Sequence, residues 1–144
     1  MESETVLEIY NMTDIPLTVP GNRFSDALKR IESEEDVCFS MVELVFVNES
    51  EIVQINRKHL SHDYVTDIIT FPYDENPSRE ELEGTMYCCL PRILQQSSKL
   101  KTAPDEEILR VCIHGLLHLC GYNDQSVEEQ KKMRKLEDLY LSEA

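Results

Sequence analysis

Residues 108–124, I-L-R-V-C-I-H-G-L-L-H-L-C-G-Y-N-D, decide how this chain folds. Apolar side chains at 108, 109, 112, 113, 116, 117 and 120 cover most of a helical circumference, and the stripe they leave holds Arg110, His114 and His118. A helix apolar almost all round is a buried helix. Its polar stripe must then face a cleft or a metal instead of bulk water. His114 and His118 are four positions apart. Their imidazoles therefore leave one face about one turn, roughly 6 Å, apart and can reach a single tetrahedral ion.

Asp124 follows six residues after His118. On a continued helix it would point about 240° away and sit roughly 9 Å further up the axis, out of reach. Gly121 alters that geometry. Glycine just past a helix end lets the chain reverse in the left-handed conformation, and Tyr122 and Asn123 can then carry Asp124 back towards the histidines. The pattern H-x3-H-x2-G-x2-D offers three protein ligands and leaves a fourth position for water, the arrangement of a catalytic zinc site. Water bound there would have its pKa lowered towards about 7. The competing readings are a solvated or core histidine pair, and a structural zinc site, which ordinarily closes with four ligands rich in Cys. Cys120 lies about 200° round the helix from His118 and is expected to face the core. In H-E-x-x-H peptidases the residue after the first His is the general base. Here it is Gly115, so peptidase chemistry lacks its base. A mid-helix glycine costs about 1 kcal/mol against Ala; close approach of a substrate or another backbone would explain it.

Outward from this helix, strands are expected at 6–10, 41–47, 66–71 and 85–90, from their β-branched and aromatic runs. Helices are expected over 23–35, with Phe24, Ala27, Leu28 and Ile31 inward; after a cap at Asn48 or Ser50, with Ile52, Ile55 and Leu60 inward; from Pro91 to about 100; over 104–120; and over 127 to about 141. The acidic, turn-rich stretch 73–83 reads as a surface loop. Ser126-x-x-Glu129 reads as a capping box. This order of elements implies a small mixed sheet packed with helices, an α/β (α+β) domain with the metal cleft on a buried helix.

The chain has 144 residues, and one domain over 1–144 is expected. With 28 Asp+Glu against 14 Lys+Arg the net charge is −14, which excludes generic, sequence-blind adhesion to a polyanion. An RNA site would have to be local or metal-assisted. The densest basic cluster, Lys131, Lys132, Arg134 and Lys135, is either an exposed helix surface or a local RNA contact. No apolar run approaches the roughly 20 residues a bilayer requires. The acidic start at residues 1–4 lacks the layout of a signal peptide. Five cysteines, an odd number, read as structural thiols in the reducing cytoplasm.

The segment H-G-L-L-H-L-C-G-Y-N-D resembles the H-G-x-L-H-L-x-G-Y-D-H signature of the YbeY family of bacterial metal-dependent endoribonucleases and rRNA maturation factors. Upstream, Ile55-Asn56 followed by T-D-I-I-T-F-P at 66–72 is similar to the family's L-N…T-D-V-L-S-F-P, and Gly84 before an apolar strand is similar to its G-D-I-x-I segment. The resemblance spans residues 52–141. It implies a mixed four-stranded sheet with about five surrounding helices, one Zn2+ or another divalent ion, and a role in rRNA 3′-end maturation and ribosome assembly. His114 and His118 match the first two ligands, and Asp124 stands where the third family histidine does. Carboxylate for imidazole adds a negative charge and should weaken the ion as a Lewis acid. The family's Arg after L-N aligns with Leu60; Arg57, Lys58 or His59 could replace it beside a scissile phosphate, or Arg57 and Lys58 form a solvated face. Asp67 is expected to orient a ligand histidine, to act as base, or to be a turn residue.

The expectation is therefore a cytoplasmic, zinc-dependent endoribonuclease that uses metal-activated water on single-stranded rRNA, a duplex being hard to thread into a small cleft. His114, His118 and Asp124 would hold the metal, Arg57 and Asp67 would assist catalysis, and backbone near Gly115 would steady the RNA. Its partners would be a ribosomal subunit or assembly proteins, with no membrane and no DNA. The rivals are an assembly factor with a weak or vestigial metal site, and a different metal-dependent hydrolase.

Overall fold

A computed structural model describes residues 5–60, 65–74 and 76–142, without the Leu60 side chain. The expectations for residues 1–4 and for the Leu60 side chain lie outside the described residues.

The chain runs β1 (Val6–Asn11), α1 (Gly21–Glu35), β2 (Phe39–Val47), α2 (Glu49–Leu60), β3 (Ile68–Pro72), β4 (Leu82–Cys89), α3 (Leu90–Leu100), α4 (Pro104–Leu119) and α5 (Val127–Ser142). The four strands form one mixed sheet in the order β1-β2-β4-β3. β1, β2 and β4 are parallel, and β3 pairs antiparallel with β4. The expected α/β architecture is the observed one.

Strand alternation decides what each face carries. Val42, Leu44, Phe46, Met86 and Cys88 join the main core with residues of α1, α3, α4 and α5. Val45, Val47, Tyr87 and Cys89 belong to a smaller cluster with Ile52, Val53 and Ile55 of α2. The parallel central strands are therefore apolar on both sides, as buried parallel strands are. α4 lies between the sheet and the other helices: its residues 107–109, 111–113, 115–117 and 119 are buried, and Arg110, His114 and His118 form its only half-buried stripe.

Several boundaries differ from the sequence reading: α1 begins at Gly21 instead of 23, β2 at Phe39 instead of 41, β3 at Ile68 instead of 66 and β4 at Leu82 instead of 85. Pro72, outside the strand expected over 66–71, is paired inside β3 with Gly84; β3 is a sheet edge, where a missing N–H does no harm. The loop expected over 73–83 ends earlier, because Leu82 is buried and Glu83 already pairs in β4. Of the two capping candidates, Asn48 precedes α2, its N–H donating to Glu51 Oε1 at 3.2 Å, and Ser50 is inside the helix. The expected capping box of α5 is formed in both directions: Ser126 N–H donates to Glu129 Oε1 (2.9 Å) and Glu129 N–H to Ser126 Oγ (3.0 Å).

Candidate metal centre

α4 ends in a glycine-dependent reversal. Gly121 has φ +105°, its N–H donates to the His118 carbonyl at 3.0 Å, and the Tyr122 N–H donates to the Leu117 carbonyl at 3.1 Å. These two bonds are the Schellman pattern. The turn brings Asp124 back over the histidine stripe. His114 Nε2 and His118 Nε2 are 2.9 Å apart, and Asp124 Oδ2 lies 3.2 Å from the first and 3.5 Å from the second. One ligand atom from each residue falls within 4.8 Å of the others, so the three could hold a metal ion.

The outer bonds of the two rings fix which nitrogens face inward. His118 Nδ1 is 2.9 Å from the Tyr122 carbonyl, which can only accept, so Nδ1 carries a proton and, in the neutral ring, Nε2 presents a lone pair. His114 Nδ1 is 2.6 Å from Glu137 Oε2 and donates to that carboxylate in the same way. Two imidazole lone pairs and a carboxylate oxygen therefore converge on one point. Such a meeting of acceptors is stable only around a cation or an added proton. Consistently, although burial opposes charging of His114, its bond to Glu137 and the charges of Glu137, Asp124 and Asp67 outweigh that and raise its pKa.

Glu137 was not singled out from the sequence. It is 6 % exposed and is gripped from the other side by Arg110, whose Nη1 lies 3.3 Å from Glu137 Oε1 while Nη2 reaches Asp138 Oδ1 at 2.7 Å. A carboxylate behind a ligating histidine is a general feature of metal sites. That rule could have prompted a search, but nothing in the sequence selects Glu137 among the acids. The orienting role considered for Asp67 is taken: Glu137 and the Tyr122 carbonyl occupy both Nδ1 atoms. Asp67 instead lines the cleft with His114, and its carbonyl accepts the Cys89 N–H at 2.8 Å.

The cleft extends on both sides of His114. A cavity of about 580 Å³ is lined by Asn56, Asp67, Thr70, His114, His118 and Asp124 among others. A second, of about 440 Å³, shares Asp67, Ile68 and His114 and runs out past Gln96, Lys99 and Arg134. Arg57, Lys58 and His59 are exposed on α2 and line neither cavity; buried Asn56 is the α2 residue that does. His59 stands edge-on to Phe71, ring centroids 5.1 Å apart.

Gly115 corrects an expectation. It is buried, and a Cβ there would lie 2.5 Å from Met86 Sδ and 2.7 Å from Ile68 Cδ1. The glycine lets α4 settle on β3 and β4, so its backbone is closed to RNA. Cys120, as expected, packs against the core. All five cysteines are free thiols.

The family model described as Endoribonuclease YbeY matches residues 14–144. An Endoribonuclease YbeY from Chlorobium phaeobacteroides (strain BS1) is 39% identical over 137 residues, covering 95% of this chain and 96% of that protein. One from Amoebophilus asiaticus (strain 5a2) is 32% identical over 133 residues, covering 92% and 89%. A solution structure of a Thermotoga maritima protein superposes with a TM-score of 0.61 at 26% identity, covering 96% of this chain and 91% of that one.

Proposed function

The chain belongs to the YbeY family of endoribonucleases, and from that premise we propose that it is a zinc-dependent endoribonuclease of rRNA 3′-end maturation and ribosome assembly, working as one domain in the cytoplasm. The observation that carries the reading is the convergence of His114 Nε2, His118 Nε2 and Asp124 Oδ2 at 2.9–3.5 Å. The donor set fits a zinc-type ion with an open fourth position. When bound, that ion supplies a Lewis acid that acidifies water and draws charge from the phosphate oxygens.

The protein's own groups do the rest. Glu137 and the Tyr122 carbonyl hold the two rings by their Nδ1 protons. Asp67, in the wall beside His114, accepts the proton of the attacking water. Arg57, next along α2 from cleft-lining Asn56, meets the RNA at the rim. A single strand is the substrate, because a duplex backbone does not enter a cleft of this size. Among the described residues no helix is long and apolar enough to cross a membrane.

A second reading is favoured by the −14 charge and by the carboxylate third ligand: a ribosome assembly factor whose metal site is vestigial. Cleavage of single-stranded RNA by wild type, His114→Ala and His118→Ala, each with elemental analysis, decides between the two. The enzyme reading expects metal and cleavage to fall together in both variants. Equal cleavage by all three proteins would assign the activity to a contaminant.

A further inference from the structure

The 440 Å³ cavity beyond His114 gathers the cations of the cleft. Among the described residues, Lys and Arg side chains are absent from the lining of the larger cavity. Those in the smaller one come from three helices: Lys99 from α3, Arg110 from α4 and Arg134 from α5. Arg110 is already committed to Glu137 and Asp138. Lys99 and Arg134 are exposed and, among the described residues, have no ion pair. Three acids share the wall: Glu107 and Glu137 are each only 6 % exposed and are engaged by Thr102 and by His114 with Arg110, and half-buried Asp67 lies at the end shared with the larger cavity. Away from Asp67, the exposed charges that a ligand meets are the two cations. Among the described residues no Phe, Tyr or Trp lines this cavity, and its one ring, His114, is held by Glu137 with its Nε2 turned to the metal site, so it lacks a broad stacking platform for bases.

We propose that the groove between Lys99 and Arg134 is the backbone subsite of the RNA strand on one side of the metal, binding phosphates of the nucleotides next to the scissile bond without regard to base. The inference rests on the endoribonuclease reading. It also shows how a chain of charge −14 can hold a polyanion: by a few local cations placed around a metal centre, against the repulsion of its excess acidic groups. Of the basic cluster at 131–135, Arg134 alone faces the cleft.

The test is binding of a non-cleavable 2′-O-methyl single-stranded oligonucleotide of mixed sequence to the zinc-loaded protein, by fluorescence anisotropy over a range of salt. Lys99→Gln/Arg134→Gln is compared with Lys131→Gln/Lys135→Gln, which changes the net charge equally outside both cavities. Two lost phosphate contacts lower the slope of log affinity against log salt by about 1.4 and weaken binding on the order of tenfold at 0.1 M salt; the control pair changes affinity less than about twofold. Equal effects of the two pairs, or no effect of either, overturn the groove. If wild type cleaves RNA but Lys99→Gln/Arg134→Gln binds like it, the subsite falls and the enzyme reading stands. If wild type neither binds nor cleaves, both fall.

Discussion

His114 is held from behind by a residue 23 positions away, Glu137, through a 2.6 Å contact to Nδ1. This pairing sets the ring's tautomer and aims its Nε2 at His118 and Asp124. Replacing Glu137 by Gln keeps the volume and removes the charge that makes Nδ1–H the favoured form. Metal affinity is expected to fall about 10–100-fold with the helical circular dichroism unchanged; unaltered zinc affinity in a competition titration would reduce Glu137 to a packing role. The two histidines were legible because an i, i+4 pair is a local property of one helix. Asp124 was legible because Gly121 marked the reversal that returns it. Glu137 was not, since its partner lies on another helix and the chain has 28 acidic residues to choose from. Asn56 appeared in the sequence only as part of a resemblance, and its place in the cleft comes from the way α2 meets β3.

At the scale of elements, the number and type of helices and strands followed from periodicity, and the errors fell at ends where non-local pairing decides. Leu82 joins β4 because its side chain is buried, which an acidic neighbourhood concealed. Gly115 shows the same limit. Its presence signalled a close approach, but only the packed structure identifies the neighbours as Met86 and Ile68. Gly115→Ala would gain about 1 kcal/mol of helix propensity against an overpacking cost of about 1–3 kcal/mol. A net loss on the order of 1 kcal/mol is expected, read as a lower urea midpoint at unchanged m-value. A more stable variant would show that the contact between α4 and β3–β4 yields freely.

For the whole molecule, the strand order β1-β2-β4-β3 was beyond the sequence, because pairing is settled by contacts far apart along the chain; the β-rich run at 41–47 marks a strand but not its neighbours. One long-range link has a measurable consequence. Glu35 of α1 accepts hydrogen bonds from Tyr122 in the metal-site turn and from Tyr140 of α5, each at 2.5 Å. The Tyr122 hydroxyl is pushed up to about 12 from 10.0, first by its bond to Glu35 and then by burial. The Cys120 thiol is pushed up to about 12 from 9.0, chiefly by burial. Both groups hold their protons in the folded chain where the unfolded chain would release them. Their contribution is thus complete below about pH 9 and is lost as pH rises to about 12. The urea midpoint should fall across that window, and less steeply above pH 10 in Tyr122→Phe; a flat profile from pH 8 to 12 would contradict the link.

The proposed activity depends on a divalent ion bound by two imidazoles and one carboxylate, and X-ray absorption at the zinc edge on the zinc-loaded protein reads that shell directly. It predicts one zinc per chain with nitrogen and oxygen neighbours at about 2.0–2.2 Å, and loss of the ion in His118→Ala. A shell containing sulfur at about 2.3 Å, or zinc retained at full stoichiometry in that variant, would contradict it.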